Sequence, residues 1–209
     1  MTARALFDHY FHQCGLIAII RGVTPDEVEG IGEVLFAAGI RVIEVPLNSP
    51  DPLTSIRRLS ARMGERALVG AGTVLTVDAV EQVRAAGGRL IVSPNTNIDV
   101  IRASAAAGLV SCPGYFTPSE GFTALAAGAT ALKLFPAEAA SPAVVRAQRA
   151  VLPKDLPLLV VGGVSLDTIP QWREAGADGF GLGSGLFVPG RLAADVGARA
   201  RSYVAAMGA

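Results

Sequence analysis

Apolar residues in this chain come in short runs at fairly even spacing, over residues 17–21, 42–47, 68–74, 90–95, 110–115, 131–136, 156–163 and 179–187. Each run is nearly continuous, the pattern of a strand buried on both faces in a parallel sheet. The segments between them carry a helical period. In the first, Val28, Ile31, Val34, Leu35 and Ala38 fall on one face. Helix-start signals precede several segments: Thr24-Pro25, Thr76, Ser141-Pro142 and Thr117-Pro118-Ser119-Glu120. The last fits a capping box with proline at the first helical position. Stop signals close them at Gly39, Gly87-Gly88, Gly108, Gly128 and Gly176. Eight strand-then-helix units predict a single (β/α)₈ TIM barrel domain over residues 1–209. Residues 2–14 add an N-terminal helix on the barrel floor. An open doubly wound sheet is the other architecture, but no Gly-x-Gly-x-x-Gly follows the first run.

Composition narrows the function classes. The chain is 51% hydrophobic, and its 18 basic and 18 acidic residues cancel. Without a basic run, no nucleic-acid partner is expected. No apolar run approaches the roughly 20 residues that span a bilayer, so no membrane partner is expected either. Met1 to Gln13 holds Asp8, His9 and His12 and no apolar signal core. No targeting segment is read there, and a cytoplasmic location is expected. Cys14 and Cys112 have neither metal-ligand nor disulfide spacing and read as small buried residues. His9 and His12 read as surface or packing residues. Trp172 and the phenylalanines away from the barrel rim read as core.

The chain has sixteen arginines but only two lysines. Lys154 lies in a polar turn, whereas Lys133 lies in the apolar run Ala131-Leu132-Lys133-Leu134-Phe135-Pro136. Burial disfavours a charged amine, and a neutral amine can attack a ketone to form a Schiff base. The plainer reading is a lysine that snorkels to the barrel mouth or pairs with a carboxylate. Strand alternation sends Leu132 and Leu134 outward and Lys133 and Phe135 inward. The same logic turns Glu44 away from Ile43 and Val45. An inward glutamate and an inward lysine form either a structural ion pair or an acid/base beside a nucleophile.

Active sites of such barrels lie at the C-terminal ends of the strands. The unusual residues there are Arg21, Glu44, Asn48, Thr73, Pro94, Lys133, Gly162-Gly163 and Gly183-Ser184. Glycines after the seventh and eighth strands suit either tight turns or a phosphate approached by backbone N–H groups. Arg21, and Thr73 with its neighbouring amides, can hold a small carboxylate.

Several motifs occur in order: Ile43-Glu44-Val45-Pro46-Leu47-Asn48, Gly70-Ala71-Gly72-Thr73-Val74, Ser93-Pro94, Cys112-Pro113-Gly114, Leu132-Lys133-Leu134-Phe135-Pro136, Val161-Gly162-Gly163-Val164 and Gly183-Ser184. Together they resemble the class I aldolases that cleave 2-keto-3-deoxy-6-phosphosugar acids, over nearly the whole chain. The resemblance implies a homotrimer of (β/α)₈ barrels with no metal or organic cofactor. It implies that Lys133 forms the Schiff base, Glu44 shuttles protons, and Gly162, Gly163, Gly183 and Ser184 hold phosphate. Thr73, Pro94 and Phe135 would line the pyruvate end. The gluconate form of the family usually carries Leu-Arg-Thr after the second strand and Thr-Gly-Gly after the seventh. Leu47-Asn48-Ser49 and Val161-Gly162-Gly163 stand there instead, and both departures resemble the galactonate form. Two rivals remain: a phosphosugar isomerase or epimerase with Glu44 as base, and a non-catalytic phosphosugar-binding barrel.

Overall fold

Parallel strands alternate with helices through the whole chain, and a computed structural model describes residues 1–208. The elements run α1 (Ala3–Phe11), β1 (Leu16–Ile19), α2 (Val28–Ala37), β2 (Val42–Pro46), α3 (Pro52–Met63), β3 (Leu68–Gly72), α4 (Val77–Ala85), β4 (Leu90–Val92) and α5 (Ile98–Ala106). They continue with β5 (Val110–Cys112), β6 (Gly114–Tyr115), α6 (Pro118–Ala126), β7 (Leu132–Leu134), a 3₁₀ turn (Ala137–Ala139), α7 (Pro142–Arg149), β8 (Leu158–Val161), α8 (Ile169–Glu174), β9 (Gly179–Leu182) and α9 (Ala193–Ala206).

The strands form one sheet in the order β5-β4-β3-β2-β1-β9-β8-β7-β6. Its two edges, β5 and β6, are consecutive in the chain and separated only by Pro113, so the sheet comes round into a nearly closed barrel. Nine strands therefore stand where eight apolar runs were counted. The fifth run is divided by Pro113, which has no N–H to give to a ladder. Hydrogen bonds still leave this run on both sides. Gly114 N–H donates to Ser93 O at 2.9 Å, and Lys133 N–H donates to Pro113 O at 3.0 Å.

Two apolar layers follow from the alternation of side chains. Ile43, Val45, Leu132 and Leu134 pack outward in the layer between sheet and helices. Ile17, Val42, Leu68, Leu90, Val110 and Leu159 fill the lumen with Phe7, Tyr10 and Phe11 of α1. Val42, Leu68, Leu90 and Val110 are the first residues of their strands, so α1 closes the N-terminal end of the barrel. Phe7 and Phe11 stack at 4.7 Å, and Tyr10 donates to Glu65 O at 2.6 Å.

Local signals fare unevenly. Thr76 caps α4 by accepting from Ala79 N–H, and Thr117 with Glu120 forms the capping box of α6. Thr24-Pro25 does not start a helix directly. It opens a turn in which Glu27 and Val28 N–H both donate to Thr24 O, and α2 begins at Val28. Cys14, Cys112 and Trp172 are buried, while His9, His12 and Lys154 are exposed. Phe122 departs from the core assignment. It is 46% exposed, because α6 buries Gly121 and Ala124 and turns Phe122 to its outer side. Among the described residues no helix is long and apolar enough to cross a membrane.

The floor aromatics give a direct test. Phe7 is fully buried, so Phe7→Ala is expected to cost about 3–5 kcal/mol in denaturant unfolding, and a loss under about 1 kcal/mol would show that α1 is not part of the core.

Candidate active site

Glu44 and Lys133 both point into the lumen. Each lies mid-strand between outward-packed neighbours, Ile43 and Val45 for one and Leu132 and Leu134 for the other. Both are nearly inaccessible, at 2% and 7% exposure. Room for the Glu44 carboxyl comes from the adjacent strand. A Cβ on Gly72 would lie 2.0 Å from Glu44 Oε2, so any side chain there would push this carboxyl out of its place. Oε2 is buried without a hydrogen-bond partner from the protein. On the other strand, Lys133 Nζ lies 4.6 Å from the Phe135 ring centroid.

This environment moves both protonation equilibria toward neutrality. Burial pushes the Glu44 carboxyl up to about 7, and the positive charges of Lys133 and Arg21 only partly oppose it. Burial pulls the Lys133 ammonium below its usual range against the pull of Glu44 and Cys112. The Cys112 thiol is pushed up to about 12, chiefly by burial, and stays protonated. An amine with an accessible neutral form is nucleophilic, and a carboxyl titrating near 7 can both take and return a proton.

Above the pair opens a cavity of about 430 Å³. Arg21, Glu44, Thr73, Pro94, Lys133, Phe135, Val161, Gly162, Gly163, Gly183 and Ser184 all line it. Seven separate strands or the loops after them supply these residues, so the C-terminal mouth is where they converge. Asn48 does not line the cavity. Its Oδ1 accepts from Arg21 Nη1, and the same nitrogen reaches Thr73 Oγ1 at 3.4 Å. Asn48 therefore holds the arginine in place. Thr73 has φ of +57°, a left-handed conformation uncommon outside glycine and strained for a β-branched residue.

Gly162 and Gly163 also have positive φ, +113° and +62°. These backbone conformations favour glycine, and sequence reasoning missed a neighbour of both: the exposed side chain of Glu138 lies across them. A Cβ on Gly162 would sit 2.1 Å from Glu138 Oε2, and one on Gly163 2.7 Å from Glu138 Cγ. Glu138 lines the same cavity from the 3₁₀ turn after β7. The available signal was its place in the loop leaving the lysine strand, on the face where such barrels collect their chemistry.

A family model described as KDPG and KHG aldolase matches residues 7–196. The chain belongs to this aldolase family. It is accordingly a carbon–carbon lyase, and the resemblance carried by its motifs is borne out. The aldolase is 49% identical over 191 residues to a Rhizobium meliloti (strain 1021) protein named probable 2-dehydro-3-deoxy-6-phosphogalactonate aldolase, spanning 91% of this chain and 90% of that one. It is 44% identical over 191 residues to the Escherichia coli (strain K12) 2-dehydro-3-deoxy-6-phosphogalactonate aldolase, spanning 91% and 93%. A solved structure described as native KDPGal superposes with a TM-score of 0.90 at 43% identity, covering 91% of this chain and 93% of that one.

The buried carboxyl of this aldolase leaves a signature in its stability. Below about pH 4.5 folded and unfolded chains both hold the proton, and Glu44 contributes nothing. Between 4.5 and about 7 the folded state alone retains it, so this contribution falls as pH rises. Above that the penalty is complete, about 3 kcal/mol. Glu44→Gln is therefore expected to unfold at higher denaturant than the parent at pH 8 and to match it at pH 4.5. A variant no more stable at pH 8 would contradict the desolvation of Glu44.

Proposed function

We propose that this aldolase cleaves 2-dehydro-3-deoxy-6-phosphogalactonate to pyruvate and D-glyceraldehyde 3-phosphate through a Schiff base on Lys133. One observation carries the reading. Among the described residues Glu44 and Lys133 are the only buried charged side chains, and both open onto the same cavity. Apolar residues there would serve stability as well or better, so an ion pair kept for structure is the weaker account.

Neutral Lys133 adds to the C2 ketone, and loss of water gives the imine. The protonated imine withdraws electrons as Glu44, directly or through a water, takes the C4 hydroxyl proton. The C3–C4 bond breaks and glyceraldehyde 3-phosphate leaves. The enamine left on Lys133 regains a proton at C3 from the Glu44 side, and water hydrolyses the imine to free pyruvate and the amine. The imine is the electron sink, so the reaction needs no cofactor. Arg21, steadied by Asn48 and Thr73, faces the pyruvate carboxylate, with Pro94 and Phe135 against its apolar part. Gly162, Gly163, Gly183 and Ser184 cradle the phosphate and orient the substrate. Val161 lies beside C4 and offers no hydrogen bond, so it does not favour the gluconate hydroxyl orientation.

The barrel is read as the (β/α)₈ type, with β5 and β6 as two halves of one strand and α1 as an added N-terminal helix. A homotrimer and a cytoplasmic setting accompany this reading.

A lactate-dehydrogenase-coupled assay on both C4 epimers tests it. The galactonate epimer is expected to react faster, and Val161→Thr to narrow the ratio roughly ten-fold. Equal rates on the two epimers would refute the role of Val161. Lys133→Arg keeps the charge but cannot deprotonate near neutral pH, so turnover should vanish. Retro-aldol activity in that variant would refute the Schiff base.

A further inference from the structure

The loop after β9 owes its shape to a residue outside the cavity. Gly183 O accepts from both Leu186 N–H and Phe187 N–H at 2.9 Å, which curls residues 183–187 into a single tight turn. The carbonyls at the far side of that turn gather on one guanidinium. Arg191 Nη1 donates to Leu186 O at 2.7 Å and lies 3.3 and 3.4 Å from Ser184 O and Gly185 O. Arg199 Nη1 reaches Gly185 O at 3.2 Å from α9. Beneath the turn, a Cβ on Gly185 would lie 2.6 Å from Tyr203 Oη, so the backbone is seated closely on α9.

Peptide planes link the two sides of this turn. Because the peptide group is planar and trans, a carbonyl held on one side fixes the following N–H on the other. The Ser184 carbonyl faces Arg191, so the Gly185 N–H faces away from it. Among the described residues no protein group accepts from the Ser184 or Gly185 N–H. Ser184 and Gly185 line the cavity, whereas Arg191 lies behind them in a separate surface groove.

We propose that Arg191 is a positioning residue for phosphate recognition: by holding the Ser184 carbonyl it aims the Gly185 N–H at the substrate phosphate, and by holding the Gly185 and Leu186 carbonyls it braces the 183–187 turn that carries this amide. This rests on the reading of the glycine loops as the phosphate cradle. Arg191 touches no reacting atom, so it acts on binding of the phosphorylated end and not on imine formation. All three carbonyls gather on the one nitrogen Nη1, at the tip of a planar, preorganised guanidinium, whereas a lysine ammonium sits on a shorter and more flexible stem.

The test compares the parent with Arg191→Ala and Arg191→Lys on the phosphorylated keto-deoxy acid and on its dephosphorylated counterpart. Inorganic phosphate serves as competitive inhibitor, and borohydride trapping of pyruvate as a control on Lys133. For Arg191→Ala, KM for the phosphorylated substrate and Ki for inorganic phosphate are expected to rise roughly ten-fold or more. Kinetics on the dephosphorylated compound and pyruvate trapping should stay within about two-fold. Arg191→Lys should fall between. Equal losses on both substrates, or no loss on either, would overturn the proposal. If Arg191→Ala does not fold, Arg191→Lys decides: an unchanged preference for the phosphorylated substrate overturns it. A parent enzyme with no such preference would instead overturn the phosphate cradle itself, and the proposal with it.

Discussion

Everything in this structure turns on two opposite charges kept out of water inside one narrow apolar lumen. Removing an amine or a carboxylate from solvent costs several kcal/mol each, and mutual attraction returns only part of it. The fold must supply that cost from elsewhere, and its construction shows where. The aromatic residues of α1 close the N-terminal end of the lumen, and the strands fill it with Ile, Val and Leu. A second apolar layer binds the sheet to the helices. The lumen is thereby apolar beneath Glu44 and Lys133, and burial brings both groups toward their neutral forms. Stability given up at this pair is the cost of shifting the amine and the carboxyl toward their neutral forms.

The mouth above the pair is divided by chemistry. On one side Arg21, Asn48 and Thr73 form a polar chain whose geometry is held by a strained Thr73 backbone. On the other, glycines after β8 and β9 bring bare backbone to the cavity wall. Val161 stands between them as an apolar wall. Glu138, lying across Gly162 and Gly163, adds a negative charge close to that bare backbone. An anion bound by this backbone would have to displace the exposed Glu138 side chain or meet its charge.

Much of this was legible in the sequence because alternation in a buried strand leaves little freedom. Leu132 and Leu134 had to face the helices, so Lys133 had to face the lumen, and the same holds for Glu44 between Ile43 and Val45. The gathering of Arg21, Thr73, Pro94 and the glycine loops followed once the strand order was fixed, because all stand at C-terminal strand ends. Features set by contacts between distant segments were not legible. Gly72 stands in the third apolar run with nothing to mark it, and only the fold shows the Glu44 carboxyl in the space where its Cβ would be. Glu138 drew no notice in the sequence, and only the fold lays its exposed side chain across Gly162 and Gly163. Asn48 was read as a substrate contact, and the fold puts it outside the cavity lining with its Oδ1 on Arg21. Pro113 sits in an apolar run whose hydrophobicity continues unbroken while its hydrogen bonding does not, so composition alone could not reveal the split between β5 and β6. Phe122 misleads in the opposite sense: hydrophobicity argues for burial, but the face of α6 is set by Gly121 and Ala124.

The central claim is that burial makes Lys133 a carbonyl nucleophile. Incubation with pyruvate and borohydride, followed by peptide mapping, tests it most directly. The account predicts one irreversible pyruvate-derived adduct, on Lys133, formed in parallel with loss of activity. An adduct confined to another residue, or no adduct while the enzyme still releases pyruvate from its substrate, would contradict it.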